Sequence, residues 1–152
     1  MLRNVIGSPV VTEIYKLDAD VKRGALVTKN TATGIASKAS DVGVQVYVVD
    51  YDAQTVGALS DVAVSAYDVD MDTVKANARA VLLTYPVGAQ FATDQINGAF
   101  AAGDYAVAGT AGNAGLLVKA TTGKVSKFKF VGDYLDGDKV LKQFEVCDPK
   151  TV

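Results

Sequence analysis

Histidine and tryptophan are absent from the 152 residues, and Cys147 is the only cysteine. Without histidine the chain lacks the side chain that most often moves protons near neutral pH, so a Ser–His nucleophile and a Cys/His zinc site are both excluded. A lone cysteine cannot close an internal disulfide and reads as a free thiol. No apolar run is long enough to cross a bilayer, and the Met1 to Pro9 stretch has one basic residue but no signal-peptide core. The chain is therefore expected to be soluble and made in a cytoplasm, with no membrane partner. The net charge of −2 supplies no cation excess for displacing counterions from phosphate, which argues against nucleic acid. Aromatics make up only 8% of the residues. A core built largely from alanine and valine removes little area from water per side chain, so association is expected to add stability.

What is present in quantity is valine, alanine, glycine, threonine and aspartate, the mixture of pleated strands joined by tight turns. Glycines cut the chain into segments too short for long helices, and the length suits a single domain. The expected fold class is all-β, a compact β-barrel or β-sandwich of short strands with glycine-rich turns and extended terminal arms. Residues 1–9 are expected as an N-terminal arm, 10–147 as the β domain and 148–152 as a C-terminal tail.

Strands are expected at Val10 to Tyr15, Ala25 to Lys29, Ile35 to Ala39, Val44 to Val49, Ala89 to Thr93, Tyr105 to Ala108 and Leu116 to Ala120. The apolar 44–49 run suggests burial on both faces. From Val125 to Val131, Phe128 and Phe130 alternate with Lys127 and Lys129, which marks one dry and one wet face. Asp136-Gly137 is a hairpin signal, and Val140 to Val146 a partner strand. Residues 72–83 fit two periods, a strand alternating Val74, Ala76, Ala78 and Ala80 or a helix capped by Asp72. Alternation over seven residues favours the strand.

Charge is segregated. Between Lys38 and Lys75 lie Asp41, Asp50, Asp52, Asp61, Asp68, Asp70 and Asp72 with no basic residue, whereas Lys119 to Lys142 is lysine-rich. Solvated faces account for this, and so does an acidic edge of one subunit meeting a basic strand of another. Asp68 to Asp72 opens like a calcium loop, but Thr73 stands where glycine is needed and Arg79 where the bidentate glutamate belongs, so no metal is expected. Asp133, Asp136 and Asp138 are what a turn beside Gly137 requires. Glycines 109, 112 and 115 are not followed by the lysine-serine or lysine-threonine pair of a phosphate loop. No catalytic residue or cofactor site is expected. Tyrosine combines apolar area with a wet hydroxyl, and Tyr51 and Tyr67, flanked by aspartates, are the best interface candidates of that type.

Four segments carry a family likeness: Val21-Lys22-Arg23-Gly24-Ala25-Leu26-Val27, Gly34-Ile35-Ala36-Ser37-Lys38-Ala39, Tyr85-Pro86-Val87-Gly88 and Phe100-Ala101-Ala102-Gly103-Asp104-Tyr105-Ala106-Val107. In these, over roughly residues 17 to 146, the chain resembles the small capsid decoration or cement proteins of tailed bacteriophages. The resemblance implies a virion protein on the outer surface of an assembled head, partnered by the major capsid protein and by itself as a dimer or trimer. It implies no enzyme activity. Candidate capsid or subunit contacts are Leu2, Val5, Ile6, Val10, Val11, Tyr51, Tyr67, Lys127 and Lys129, with the Leu2 to Val11 arm pairing onto a neighbour's sheet edge. Loss of residues 1–9 is then expected to spare folding and impair head binding. A head-fibre or glycan-binding module and a tail or tube subunit are the alternative readings.

Overall fold

The computed structural model describes residues 1–53 and 72–152 and is all-β, as the composition indicates. Its strands are β1 (Leu2–Ile6), β2 (Val11–Leu17), β3 (Val21–Lys22), β4 (Leu26–Asn30), β5 (Ile35–Lys38), β6 (Tyr47–Asp52), β7 (Thr73–Val74), β8 (Arg79–Thr84), β9 (Gln90–Thr93), β10 (Ile96–Asn97), β11 (Tyr105–Ala108), β12 (Leu117–Lys119), β13 (Val125–Asp136) and β14 (Lys139–Thr151). Strands β2-β5-β4-β6-β8 close into a barrel, and β1-β9-β14-β13-β11-β12-β10 form a 7-stranded sheet. β3 and β7 make a small separate ladder.

The two parts share walls. Neighbouring residues of one strand point to opposite faces, and here each face meets a different core. Leu26, Val48, Val81 and Leu83 pack into the core under the sheet, while Val27, Val49, Ala80 and Leu82 fill the barrel. This is why β4, β6 and β8 read as unbroken apolar runs instead of alternating ones. A barrel of five strands has a narrow interior, and it is filled by small and medium side chains, with Leu17, Ala36 and Val74 completing the set. All five phenylalanines belong to the other core. Phe91 lies 5.7 Å from Phe128 and 6.1 Å from Phe144, and stacks on Tyr85 at 5.0 Å; Phe100 and Phe130 extend the cluster. The phenylalanines are thus concentrated under the wide sheet, whereas Tyr15 and Tyr47 pack against the barrel core.

The C-terminal hairpin is present and longer than expected, with Asp136 paired to Lys139 across a Gly137-Asp138 loop in which Gly137 takes a φ of 64°. Gly132 sits at a register shift inside β13, a bulge that lets the strand bend. Within it Phe128 and Phe130 are buried and Lys127 and Lys129 only partly covered, so the dry and wet faces stand as expected.

Two expectations are corrected and one is refined. Residues 72–83 hold strand and no helix, as favoured, but as two strands and not one: Asn77 adopts a φ of 68° and the Ala78 amide donates to the Lys75 carbonyl, so β7 and β8 belong to different sheets. Val44 to Val46 lie outside β6, although Val46, Val48 and Val49 are all buried. Finally, the terminal segments are not free arms. β1 pairs antiparallel with β9, Leu2 is 4% exposed in the sheet core, and β14 runs on to Thr151. An apolar residue at position 2 gains more from covering β9 in its own chain than from remaining in water.

Candidate functional site

The two parts of the fold are joined by backbone crossings at one end, and these carry several exposed apolar side chains; a second exposed apolar pair, Leu135 and Val140, sits on the β13–β14 hairpin. The β1–β2 connection runs beside the β8–β9 turn: Ile6 is in register with Gln90, the Val10 amide donates to the Thr84 carbonyl at 2.8 Å, and Val11 is paired with Thr84. On these adjoining segments Ile6 is 53%, Val10 67% and Val87 60% exposed, and Val11 is exposed as well. Ile14 continues the exposed apolar set along β2. Underneath, the Tyr85 hydroxyl donates to Asn4 Oδ1, which ties the edge strand to the turn. Burial pushes the Tyr85 phenol well above its ordinary range, so it serves as a fixed donor.

The expected contact residues divide accordingly. Ile6, Val10 and Val11 are brought together at the crossings, whereas Leu2 is core and Val5 falls, half-buried, at the register shift of β1. Tyr51 is exposed near the end of β6, on a different element. Tyr67 lies outside the described residues, as do Asp61, Asp68 and Asp70. Lys129 stands in register with Glu145. Val87 and Ile14 were missed by sequence reasoning, although Pro86-Val87-Gly88 is a turn signal that places Val87 at a surface.

Among the described residues several of the segregated charges are paired within the chain. Asp50 accepts from Arg23 at 2.6 Å, Asp41 from Lys124 at 2.6 Å, and Asp72 from the Met1 ammonium at 2.7 Å. On the hairpin, Asp133 pairs with Lys142 across its two strands, and Asp136 with Arg3, which ties the β13–β14 tip to β1. At the mouth of the barrel Glu13 accepts from Lys29 at 2.5 Å, and the Lys29 ammonium lies 4.6 Å from the Tyr47 ring centre and 5.6 Å from that of Tyr15. These bonds, that to Glu13 foremost, hold Lys29 charged well beyond the usual lysine range. Lys127 differs: among the described residues it has no carboxylate partner, and burial pushes its ammonium down.

Among the described residues no three metal-ligating side chains gather. Cys147 is half-buried and its thiol is pushed up, first by burial and then by Glu145, which makes it a poor nucleophile. The arrangement is suited to contact: an apolar fringe on paired backbone, and a partly buried lysine, Lys127, that has no carboxylate partner among the described residues. Comparison with protein-family models, with curated proteins and with solved structures finds no match.

Proposed function

We propose that this protein is a capsid decoration protein that binds the outer surface of an assembled bacteriophage head and braces the contacts between capsomers. The observation that carries the reading is the apolar fringe of Ile6, Val10, Val11 and Val87, exposed on two adjacent crossings whose backbones are paired. Apolar side chains held on rigid backbone lose little entropy when a partner covers them, which is what a permanent contact surface requires. The family likeness of the 21–39 and 85–107 segments supplies the kind of partner, the major capsid protein, and an oligomer of the chain itself.

Strand addition remains part of the mechanism with its direction changed. β1 is the end strand of the sheet, and among the described residues nothing pairs with its outer edge, so the edge receives a neighbour's strand where an arm was expected to donate one. Many such contacts on one shell gain from effective concentration even if each is weak.

The test is to mix purified protein with undecorated heads and measure bound copies per particle for the wild type and for a variant carrying Ile6→Ser and Val10→Ser. Saturable binding by the wild type, reduced at least about tenfold in affinity in the variant, is the expected outcome. No binding to heads, or equal occupancy by both proteins, overturns the reading.

A further inference from the structure

A cleft of about 460 Å³ opens at the seam between barrel and sheet. One side is the end of β4 and its turn, with Thr28, Lys29 and Thr31; the other is β13, with Lys127. The irregular 42–46 segment lays Val42, Val44 and Val46 between them. The volume falls in the range of ligand sites, roughly 300–1,000 Å³, and the mixed lining is their usual character.

The charge count in the cleft decides what it would hold. Lys29 is already neutralised by Glu13 at 2.5 Å. Among the described residues Lys127 has no such partner: its Nζ has the Val46 carbonyl oxygen at 3.5 Å and the Phe128 ring centre at 5.4 Å, and neither carries a negative charge. A partly desolvated ammonium with such partners gains from an anion beside it more than a surface lysine does. The lining lysines, less the Glu13 charge, leave one positive charge, which matches a single carboxylate better than a phosphate dianion. The valines beside it match an apolar neighbour of that carboxylate, and the threonine hydroxyls can donate to its second oxygen.

We propose that this cleft is a receptor for an acidic side chain flanked by apolar residues, presented by a partner protein, with Lys127 as the charge that recognises it. The proposal stands on the geometry of the seam and does not require the decoration reading.

The experiment is a titration of the isotope-labelled full chain, followed by amide chemical shifts, with acetyl-Val-Glu-Val-amide, with acetyl-Val-Gln-Val-amide and with inorganic phosphate. The glutamate peptide is expected to saturate with a dissociation constant on the order of 1 mM, to move the amides of Thr28, Thr31 and Gln45, and to bind about tenfold more tightly than the glutamine peptide. Lys127→Met is expected to reduce glutamate-peptide binding to the level of the glutamine peptide, while Lys127→Arg and the neighbouring Lys129→Met retain it. Equal affinity for the two peptides overturns the proposal, as do shifts confined to another surface or saturation by phosphate at lower concentration than by the glutamate peptide. The wild-type comparison decides the matter even if Lys127→Met fails to fold. Heads play no part in this assay, so its failure and a failure of head binding are distinguishable.

Discussion

Gly43 lies against Val125 so closely that a Cβ at position 43 would come within 2.3 Å of the Val125 carbonyl oxygen, and within 2.9 Å of Val107 Cγ1. The requirement is for space and not for an unusual dihedral, since Gly43 is not among the glycines of positive φ. Both neighbours belong to the sheet, so this contact lays the 42–46 segment onto it. Gly43→Ala forces backbone apart and is expected to cost roughly 1–3 kcal/mol, readable as a loss of about 2–4 °C in Tm per kcal/mol. An unchanged Tm would show that the segment is not seated as described.

Phe91 is the hub of the sheet core, fully buried and in ring contact with Tyr85, Phe128 and Phe144. Phe91→Ala is expected to destabilise by about 3–5 kcal/mol, a large part of the stability of a domain of this size. Denaturant titration reads the change. Because β4, β6 and β8 serve both cores, the barrel should unfold with the sheet, and far-ultraviolet and near-ultraviolet signals should follow one transition. Two separated transitions would refute the shared-wall description.

Asp104 gives a pH dependence with a definite sign. Its carboxylate accepts the Ala101 amide at 2.8 Å and the Lys119 ammonium at 2.9 Å, and these two, the amide foremost, hold its pKa below the ordinary carboxylate value. A group whose pKa is depressed by folding stabilises the protein above its unfolded pKa, and that contribution fades as the pH falls through the folded one. Asp104→Asn is therefore expected to be less stable than the wild type at neutral pH, with the gap closing below about pH 4. Urea midpoints measured across the acid range check this, and a gap that widens on acidification would contradict it.

Removal of residues 1–6 now carries a different expectation from the one drawn on sequence alone. Leu2 is buried and β1 completes the pairing of β9, so the truncated chain should lose roughly 2 kcal/mol or more and expose a new sheet edge. Circular dichroism melting separates this from the surface variant Ile6→Ser with Val10→Ser, whose folding should be unaffected. A truncation as stable as the full chain would return residues 1–6 to the status of an arm.

What was legible in the sequence follows from how far each signal is local. Glycine spacing marked the longer strands but not β1, β3 or β10, and Phe128 and Phe130 against Lys127 and Lys129 gave the faces of β13, because alternation and turn chemistry act within a few residues. The break at Asn77 was hidden because Val74 and Ala80 keep the phase of one strand while pairing with different partners, Val21 and Tyr15. Leu2 looked like part of an arm because its burial depends on β9, some 90 positions away. The exposed apolar fringe was half visible: Ile6, Val10 and Val11 were apparent as apolar residues near one end, but their convergence with Val87 is a product of topology. Lys127 was singled out as surface charge. That it meets no carboxylate among the described residues is a property of the seam.

The shared walls have a mechanical consequence. In a stacked pair of sheets a shear plane runs between the layers, and sliding them apart breaks only side-chain contacts. Here the same β4, β6 and β8 backbones are staves of the closed barrel and the floor of the phenylalanine cluster, so peeling one layer from the other means tearing through inter-strand hydrogen bonds. A pull delivered to the sheet is carried around the barrel before anything can yield.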